Sequence, residues 1–213
     1  MITRLTLDHL VYGVPDLVEA MYEFNRRLGR APQPGGRHEG LGTHNAILPL
    51  AGETYVELIA SDPDAPAPRQ ARPFGLDSLD GPRLITWAVR SRSIESDIKR
   101  AREHGFDPGA IIGMSRRSPA GELLEWKLTI RAKPFGDGLL PFVIDWGRTP
   151  HPAASEQGDR NDLLLTEFSA AHPDPRSIGD ALAALAVDLE VEVNPQPRLS
   201  ALIAGPEGDF LLQ

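Results

Sequence analysis

The segment LDHLVYGVPD, residues 7–16, opens the most informative region of the chain. It begins as a short apolar and β-branched run that carries one histidine, His9, and such a run is typical of a strand. It ends in Pro15-Asp16, a pair typical of the start of a helix. A second strand-like run, TYVELI at residues 54–59, carries one acidic residue, Glu57. Histidine and glutamate both bind divalent metals, so the two strands together predict a functional site.

The composition indicates a globular protein without thiol chemistry. Of its 213 residues, 41% are hydrophobic and 24% are charged, which is ordinary for a soluble protein. The net charge of −8 disfavours a nucleic-acid or membrane partner, because both require clustered Lys and Arg. The lack of cysteine excludes disulfides, thiolate metal sites and a cysteine nucleophile. The N-terminus does not have the layout of a signal peptide, and no apolar run reaches the roughly 18 residues that span a bilayer, so we expect a cytoplasmic protein.

The same order of element signals occurs three times along the chain. Asp16 is placed to cap a helix that ends before Gly29, Ser93 is placed to cap a second helix, and Pro173-Asp174 opens a third. Strand-like runs surround each helix, so each unit reads β-α-β-β-β. The predicted division is a first module at 1–61, a proline-rich linker at 62–82, a second module at 83–148, a loop at 149–161 and a shorter third module at 162–213.

A single β-α-β-β-β unit leaves one curved face of its sheet uncovered. Units packed edge to edge, with their helices outside, form a larger curled sheet around a cleft, and alternate residues of each strand point into it. We therefore predict an α+β fold in which repeated βαβββ modules form a curled, mixed or antiparallel sheet around a cleft.

Several of these segments resemble the vicinal oxygen chelate (glyoxalase/bleomycin resistance/extradiol dioxygenase) superfamily, and within it the glyoxalase-like domain proteins. The matching segments are residues 7–17, GTHNA at 42–46, YVELI at 55–59 and, more weakly, LPFVIDW at 140–146. The resemblance implies paired βαβββ modules and usually a divalent metal in the cleft. It implies activities that range over glyoxalase-type isomerases, epimerases, extradiol dioxygenases and proteins that modify or sequester a drug.

The resemblance also implies a set of metal ligands. By position, His9 on the first strand and Glu57 on the fourth are ligands. In the second module, Leu84 lies near the position of His9 and cannot bind a metal, whereas Asp145 lies about where Glu57 lies in the first and becomes the third ligand. Glu167 is a further candidate if the third module closes on the first.

Each candidate residue has a structural alternative. His9 can be a hydrogen-bonded core residue, and Glu57 can point to solvent from the other face of its strand. His44 and Asn45 are placed to line the mouth of the cleft. His44 would be a third metal ligand, an acid–base catalyst or a substrate contact, and Asn45 would donate a hydrogen bond to a substrate carbonyl. The alternative for His44 is a strand-start residue near the surface.

The aromatic and basic residues of the second module are open to two interpretations as well. Trp87, Trp126 and Trp146 lie on predicted strands and either pack in the core or line an apolar pocket, and Trp87 and Trp126 are the substrate-binding candidates. Arg116-Arg117 is either a solvated basic face or an anion contact for a carboxylated substrate.

The sequence thus predicts a glyoxalase-like, divalent-metal-dependent enzyme of the isomerase/lyase or dioxygenase type. The metal, held by His9, Glu57 and Asp145, would polarise adjacent oxygens of a small substrate, with Glu57 and His44 as catalytic residues. The alternative is a metal-free protein of the bleomycin-resistance type that sequesters a small molecule. A homodimer remains open, because modules of this kind also exchange between subunits.

Overall fold

The computed structural model describes residues 4–38, 40–117, 121–131, 136–153 and 162–213. Most of the predicted loop at 149–161 lies outside these ranges. The first unit contains β1 (Thr6–Gly13), α1 (Leu17–Leu28), β2 (Gln33–His38), β3 (Thr43–Leu50) and β4 (Thr54–Ser61). The second contains β5 (Arg83–Arg90), α2 (Ile94–Glu103), β6 (Ala110–Arg117), β7 (Leu123–Ile130) and β8 (Phe142–Asp145). The third contains β9 (Leu164–His172), α3 (Pro175–Ala184), β10 (Val191–Val193), β11 (Arg198–Gly205) and β12 (Gly208–Leu212).

The first two units share one eight-stranded sheet in the order β2-β3-β4-β1-β5-β8-β7-β6. In each unit the first strand pairs in parallel with the fourth, and the antiparallel pair β1–β5 joins the two units. The edge strands β2 and β6 approach each other, and the Arg116 guanidinium donates a hydrogen bond to the Gly35 carbonyl across this seam. The sheet therefore curls almost into a barrel around a cleft, as the predicted α+β fold requires.

The first helix begins and ends where its sequence signals indicate. The Asp16 side chain accepts a hydrogen bond from the backbone N–H of Glu19 at 2.9 Å. Gly29 ends the helix with φ of 73°, a left-handed conformation that glycine adopts without steric cost. The second helix begins after Ser93 as predicted, but the Ser93 side chain makes no capping hydrogen bond.

The third unit repeats the order of elements but not the order of strands. Its four-stranded sheet runs β10-β9-β11-β12, so the first strand pairs with the second and third rather than with the fourth. This sheet packs on α1, where Phe210 meets the ring of Phe24 at 5.0 Å, and Leu84 on β5 donates its N–H to the Gln213 carbonyl at 2.7 Å. Glu167 is exposed on this outer sheet, so it does not join the cleft.

No helix in the described ranges combines the length and the apolar character that a bilayer crossing requires.

Candidate functional site

The inner face of the curled sheet lines a cleft of about 2080 Å³. Strand alternation decides which residues reach it, since successive side chains of a strand point to opposite faces. On β1, Leu10 and Tyr12 enter the core on the helix side of the sheet, whereas His9 faces the cleft. On β4, Glu57 faces the cleft in the same way. The walls are mostly apolar and include Ile47, Ile59, Trp126, Phe142, Ile144 and Trp146.

His9 and Glu57 converge inside this cleft, together with two further polar residues. His9 Nε2 lies 3.7 Å from Glu57 Oε2. The amide of Asn45 donates a hydrogen bond to Glu57 Oε1 at 2.5 Å, and His38 Nε2 lies 4.0 Å from the same oxygen. The structure therefore brings together His9, Glu57 and Asn45, which the sequence singled out, and adds His38.

The fully buried Asp8 lies behind His9 and contacts several hydrogen-bond donors. Its carboxylate lies 2.7 Å from His9 Nδ1 and accepts hydrogen bonds from Arg90 Nε at 2.7 Å and Trp146 Nε1 at 3.2 Å, with His151 Nε2 also 3.2 Å away. Burial alone would raise the pKa of Asp8, but the hydrogen bonds and charges of His151 and His9 outweigh burial and hold this pKa well below its ordinary value. Asp8 is therefore a carboxylate throughout the physiological range.

Because Asp8 is ionised, it determines which ring nitrogen of His9 carries a proton. A carboxylate only accepts hydrogen bonds, so the Nδ1 atom of His9 carries a proton and donates it to Asp8. The other nitrogen, Nε2, is then the one that faces Glu57. Tyr55 holds the ring in place by stacking on it, with ring centroids 4.5 Å apart and planes 13° apart. The polar tip of His9 is thus fixed toward the cleft.

Three further ionisable side chains lie near His9 and Glu57, and they are neutral or cationic. Burial raises the pKa of Tyr55 well above 10, and the negative charges of Asp8 and Glu57 raise it further. Burial lowers the pKa of His38, although the charge of Glu57 opposes this effect. Arg116 is buried as well, and burial lowers its pKa against the attraction of Glu57.

The strand registers show which residues of the second unit correspond to the site of the first. Glu57 on β4 pairs with Val11 on β1, and Phe142 on β8 pairs with Ala88 on β5. Val11 and Ala88 are equivalent, because each lies five residues before the N-cap of the helix in its unit. Phe142 therefore takes the place of Glu57 in the second unit.

The expected third ligand, Asp145, lies elsewhere. It is three residues beyond Phe142, and its carboxylate accepts hydrogen bonds from the backbone N–H groups of Ile94 at 3.2 Å and Gly147 at 2.9 Å. It therefore caps the start of α2 on the opposite face of the sheet. The expected equivalence of Asp145 with Glu57 was wrong, because the register of a short strand cannot be read from an apolar run.

A divalent metal would find two protein ligands in this cleft. His9 and Glu57 are close enough to share an ion, but the matching positions in the second unit hold Phe142 and Thr86, the latter where Leu84 was expected. Within the described ranges, no three His, Asp or Glu side chains are grouped so as to hold a metal. Catalytic zinc sites commonly use three protein ligands. The residues present therefore do not fit a resident metal ion.

His44 does not reach the cleft. It lies on β3 next to Asn45, and successive residues of a strand face opposite ways, so the two cannot both line the cleft. Asn45 lines it, whereas His44 is half-buried and is not among the residues that line the cleft. The proposed acid–base role of His44 loses its geometric basis, and His38 is the second imidazole near Glu57 instead.

The tryptophans divide between the core and the cleft. Trp87 is 2% exposed, donates its indole N–H to the Leu139 carbonyl at 2.7 Å and packs on Phe168, so it belongs to the core and not to a substrate pocket. Trp126 lines the cleft as expected, with its ring centroid 5.4 Å from that of Trp146.

Comparison with known proteins gives a family for this architecture. Residues 7–186 match the sequence model of a family described as "Glyoxalase-like domain". No curated protein matches the chain.

Solved structures resemble the chain at low sequence identity. A hypothetical protein from Staphylococcus aureus is 13% identical, with a TM-score of 0.64 over 98% of this chain and 86% of that one. The methylmalonyl-CoA epimerase of Mycobacterium tuberculosis is 21% identical, with a TM-score of 0.45 over 68% of this chain and 91% of the epimerase. The Streptomyces coelicolor epimerase in complex with 2-nitronate-propionyl-CoA is 16% identical, with a TM-score of 0.45 over 67% and 98%. At these identities the likeness concerns the fold alone.

The match covers most of the chain, including β4 and all of the curled sheet except the first residue of β1. The chain belongs to the glyoxalase-like domain family.

Proposed function

We propose that this chain is an enzyme of the isomerase type that moves a proton at the carbon next to a carbonyl group of a small, oxygen-bearing substrate. The observation that supports this proposal most strongly is the 3.7 Å approach of His9 Nε2 to Glu57 Oε2 in an otherwise apolar cleft. A base and a proton donor that converge on one small volume are what such a reaction needs.

Glu57 is the proposed base. Its carboxylate lies at the cleft surface with limited exposure, where it can take a proton from a carbon atom of the substrate. Asn45 holds the other carboxylate oxygen through its amide N–H, so that Oε2 is directed toward the substrate and His9. Removal of this proton leaves negative charge on the substrate carbonyl oxygen.

His9 is the proposed partner at that oxygen. In its protonated form, Nε2 donates a proton to the developing enolate, and the return of the protons completes the isomerisation. Asp8 accepts the hydrogen bond from Nδ1 and holds the ring with Nε2 toward the substrate, in the way that a buried carboxylate orients a catalytic histidine elsewhere. The apolar wall around Trp126 and Phe142 holds the rest of the substrate and keeps water away.

The family resemblance implies a divalent metal, which would polarise the substrate oxygens. Because the described residues supply only two ligands, the proposed proton transfers use the protein's own side chains. We expect the reaction to survive exhaustive chelation and dialysis. Loss of activity on chelation, with recovery on addition of one divalent metal, would show that an ion completes its coordination with water or substrate.

The test is hydrogen–deuterium exchange at the carbon next to a carbonyl, followed by ¹H NMR in D₂O. A panel of 2-oxo acids, 2-hydroxy ketones and thioesters is incubated with the wild type, with Glu57→Gln and with Glu167→Gln. The wild type should catalyse exchange of at least one compound, and Glu57→Gln should slow it by about 100-fold or more, since general-base catalysis contributes about 10²–10⁴-fold. Glu167→Gln makes the same change outside the cleft and should have no effect. An undiminished rate in Glu57→Gln would refute the role of Glu57.

The second candidate is a binding protein that sequesters an apolar compound. The proximity of the Trp126 and Trp146 rings in the wall of the cleft favours it. Quenching of tryptophan fluorescence by members of the panel, without exchange of any of them, would replace the enzymatic proposal with this one.

A further inference from the structure

We propose that Arg116 binds a carboxylate group of the ligand, so that the substrates of this cleft are small oxo acids with an apolar tail. This inference builds on the proposed function by naming the substrate class. It is based on the burial and the hydrogen-bond partners of Arg116, and these do not depend on whether Glu57 acts as a base.

Arg116 is a buried cation with few partners. Its side chain lies on β6 in the wall of the cleft, and the residue is 9% exposed. A guanidinium carries five N–H donors, and the hydrogen bond observed among the described residues goes to the Gly35 carbonyl. The fully buried polar atoms without a partner in the described ranges belong to Asn45, Arg100 and Asp162. The remaining N–H groups of Arg116 are not among these atoms, and the Arg116 side chain lines the cleft.

The charge of Arg116 is incompletely balanced. Burial lowers its pKa, and the acidic groups that act on it through space are Glu57 and the Tyr55 hydroxyl. Among the described residues, no carboxylate forms an ion pair with it. A buried cation without a paired anion is costly to the fold, and a bound carboxylate would offset that cost with two parallel hydrogen bonds.

The position of Arg116 also fits the reaction. It is near enough to Glu57 for the two charges to interact, and near enough to His38 to affect its pKa. A carboxylate held by Arg116 would bring the adjacent carbonyl carbon and its neighbour toward Glu57 and His9. The apolar wall with Trp126 and Phe142 would then receive the tail.

A purely structural role for Arg116 makes a different prediction. In that case its hydrogen bond to Gly35 fastens β6 to β2, and its loss would weaken every ligand alike or unfold the protein. The structural role and the ligand-binding role of Arg116 can be distinguished by whether the cleft prefers an acid over a neutral compound of the same shape.

The experiment uses 2-oxo-4-phenylbutanoate and its ethyl ester as probes, with affinities measured by isothermal titration calorimetry. The wild type should bind the acid more tightly than the ester. Arg116→Gln should weaken binding of the acid by about tenfold or more, because hydrogen bonds between charged groups are the strong ones, and should leave the ester unchanged. The control is Arg117→Gln, which removes the neighbouring charge on the exposed face of β6 and should change neither affinity.

Several results would overturn the inference: a wild type that does not bind the acid or does not prefer it, or an Arg116→Gln variant that loses both probes equally or neither. If Arg116→Gln does not fold, Arg116→Lys decides, because it keeps the charge and should retain a preference for the acid. Binding requires no turnover. A preserved acid preference without proton exchange would therefore refute the proposed function alone, and exchange without acid preference would refute this inference alone.

Discussion

At the scale of single residues, Asp8 controls what His9 can do. Its buried carboxylate accepts the Nδ1 proton and leaves Nε2 toward Glu57. Simple alternation would point Asp8 and His9 to opposite faces of β1. The register between β1 and β5 shifts between Leu7 and His9, however, so the strand is irregular at Asp8. No sequence pattern marks such an irregularity. The sequence therefore indicated His9 as a candidate site residue but did not indicate its partner Asp8.

Replacement of Asp8 should change how stability depends on pH. Its folded-state pKa lies below the ordinary value of 3.8, so Asp8 stabilises the fold above that pH and loses this contribution as the pH falls below it. Asp8→Asn should cost about 3 kcal/mol at neutral pH, because it breaks a buried charge cluster. The further loss of stability between about pH 5 and pH 3 should be smaller in the variant than in the wild type.

Urea unfolding at both pH values measures this difference, with the exposed Asp180→Asn as the matched control. If Asp8→Asn loses as much stability on acidification as the wild type and the control do, Asp8 is not the ionised anchor described above.

At the scale of elements, Asp145 was predicted to bind a metal, but in the structure it caps a helix. Ser93 has the sequence signature of the cap of α2, yet its side chain makes no capping hydrogen bond. The carboxylate of Asp145, from β8, accepts the Ile94 N–H instead. A capping residue on a distant strand leaves no pattern in the sequence next to the helix. The sequence therefore predicted where this helix begins, but not which residue accepts the hydrogen bond from its first N–H group.

The two candidate caps should therefore differ in their effect on stability. Asp145→Ala should destabilise the protein by about 1 kcal/mol, because it leaves the Ile94 N–H at the helix start without its acceptor. Ser93→Ala should cost less than about half of that. Thermal and urea unfolding of both variants measures the difference. Equal losses, or no loss for Asp145→Ala, would contradict this assignment.

At the scale of the whole molecule, helix signals and strand alternation were sufficient to predict the curled sheet and the cleft. They predicted the third unit only as a sequence of elements, because strand order depends on which edges pair, and short strands such as β10 carry little pairing information. In the structure the third sheet covers α1 and adds Ala201, Ile203 and Leu212 to the main core. The three units should therefore unfold together.

Tryptophan fluorescence can test this coupling, because Trp87, Trp126 and Trp146 all lie in the second unit. Ile203→Ala removes a fully buried side chain of the third unit and should cost about 2–5 kcal/mol. The urea midpoint measured by tryptophan fluorescence should fall together with the midpoint measured by circular dichroism. Val193→Ala, at a position 78% exposed, is the control. A fluorescence midpoint unaffected by Ile203→Ala would mean that the third unit folds separately.

The central claim is that His9 and Glu57 act as one unit on a single substrate, and a double-mutant cycle on the exchange rate tests it most directly. Rates are measured for the wild type, His9→Ala, Glu57→Gln and the double variant with the best compound of the panel. Residues that act as a unit are strongly non-additive, so the double variant should be no more than a few-fold slower than the slower single variant. If the two losses multiply instead, the imidazole and the carboxylate act independently, and the proposed catalytic pair does not exist.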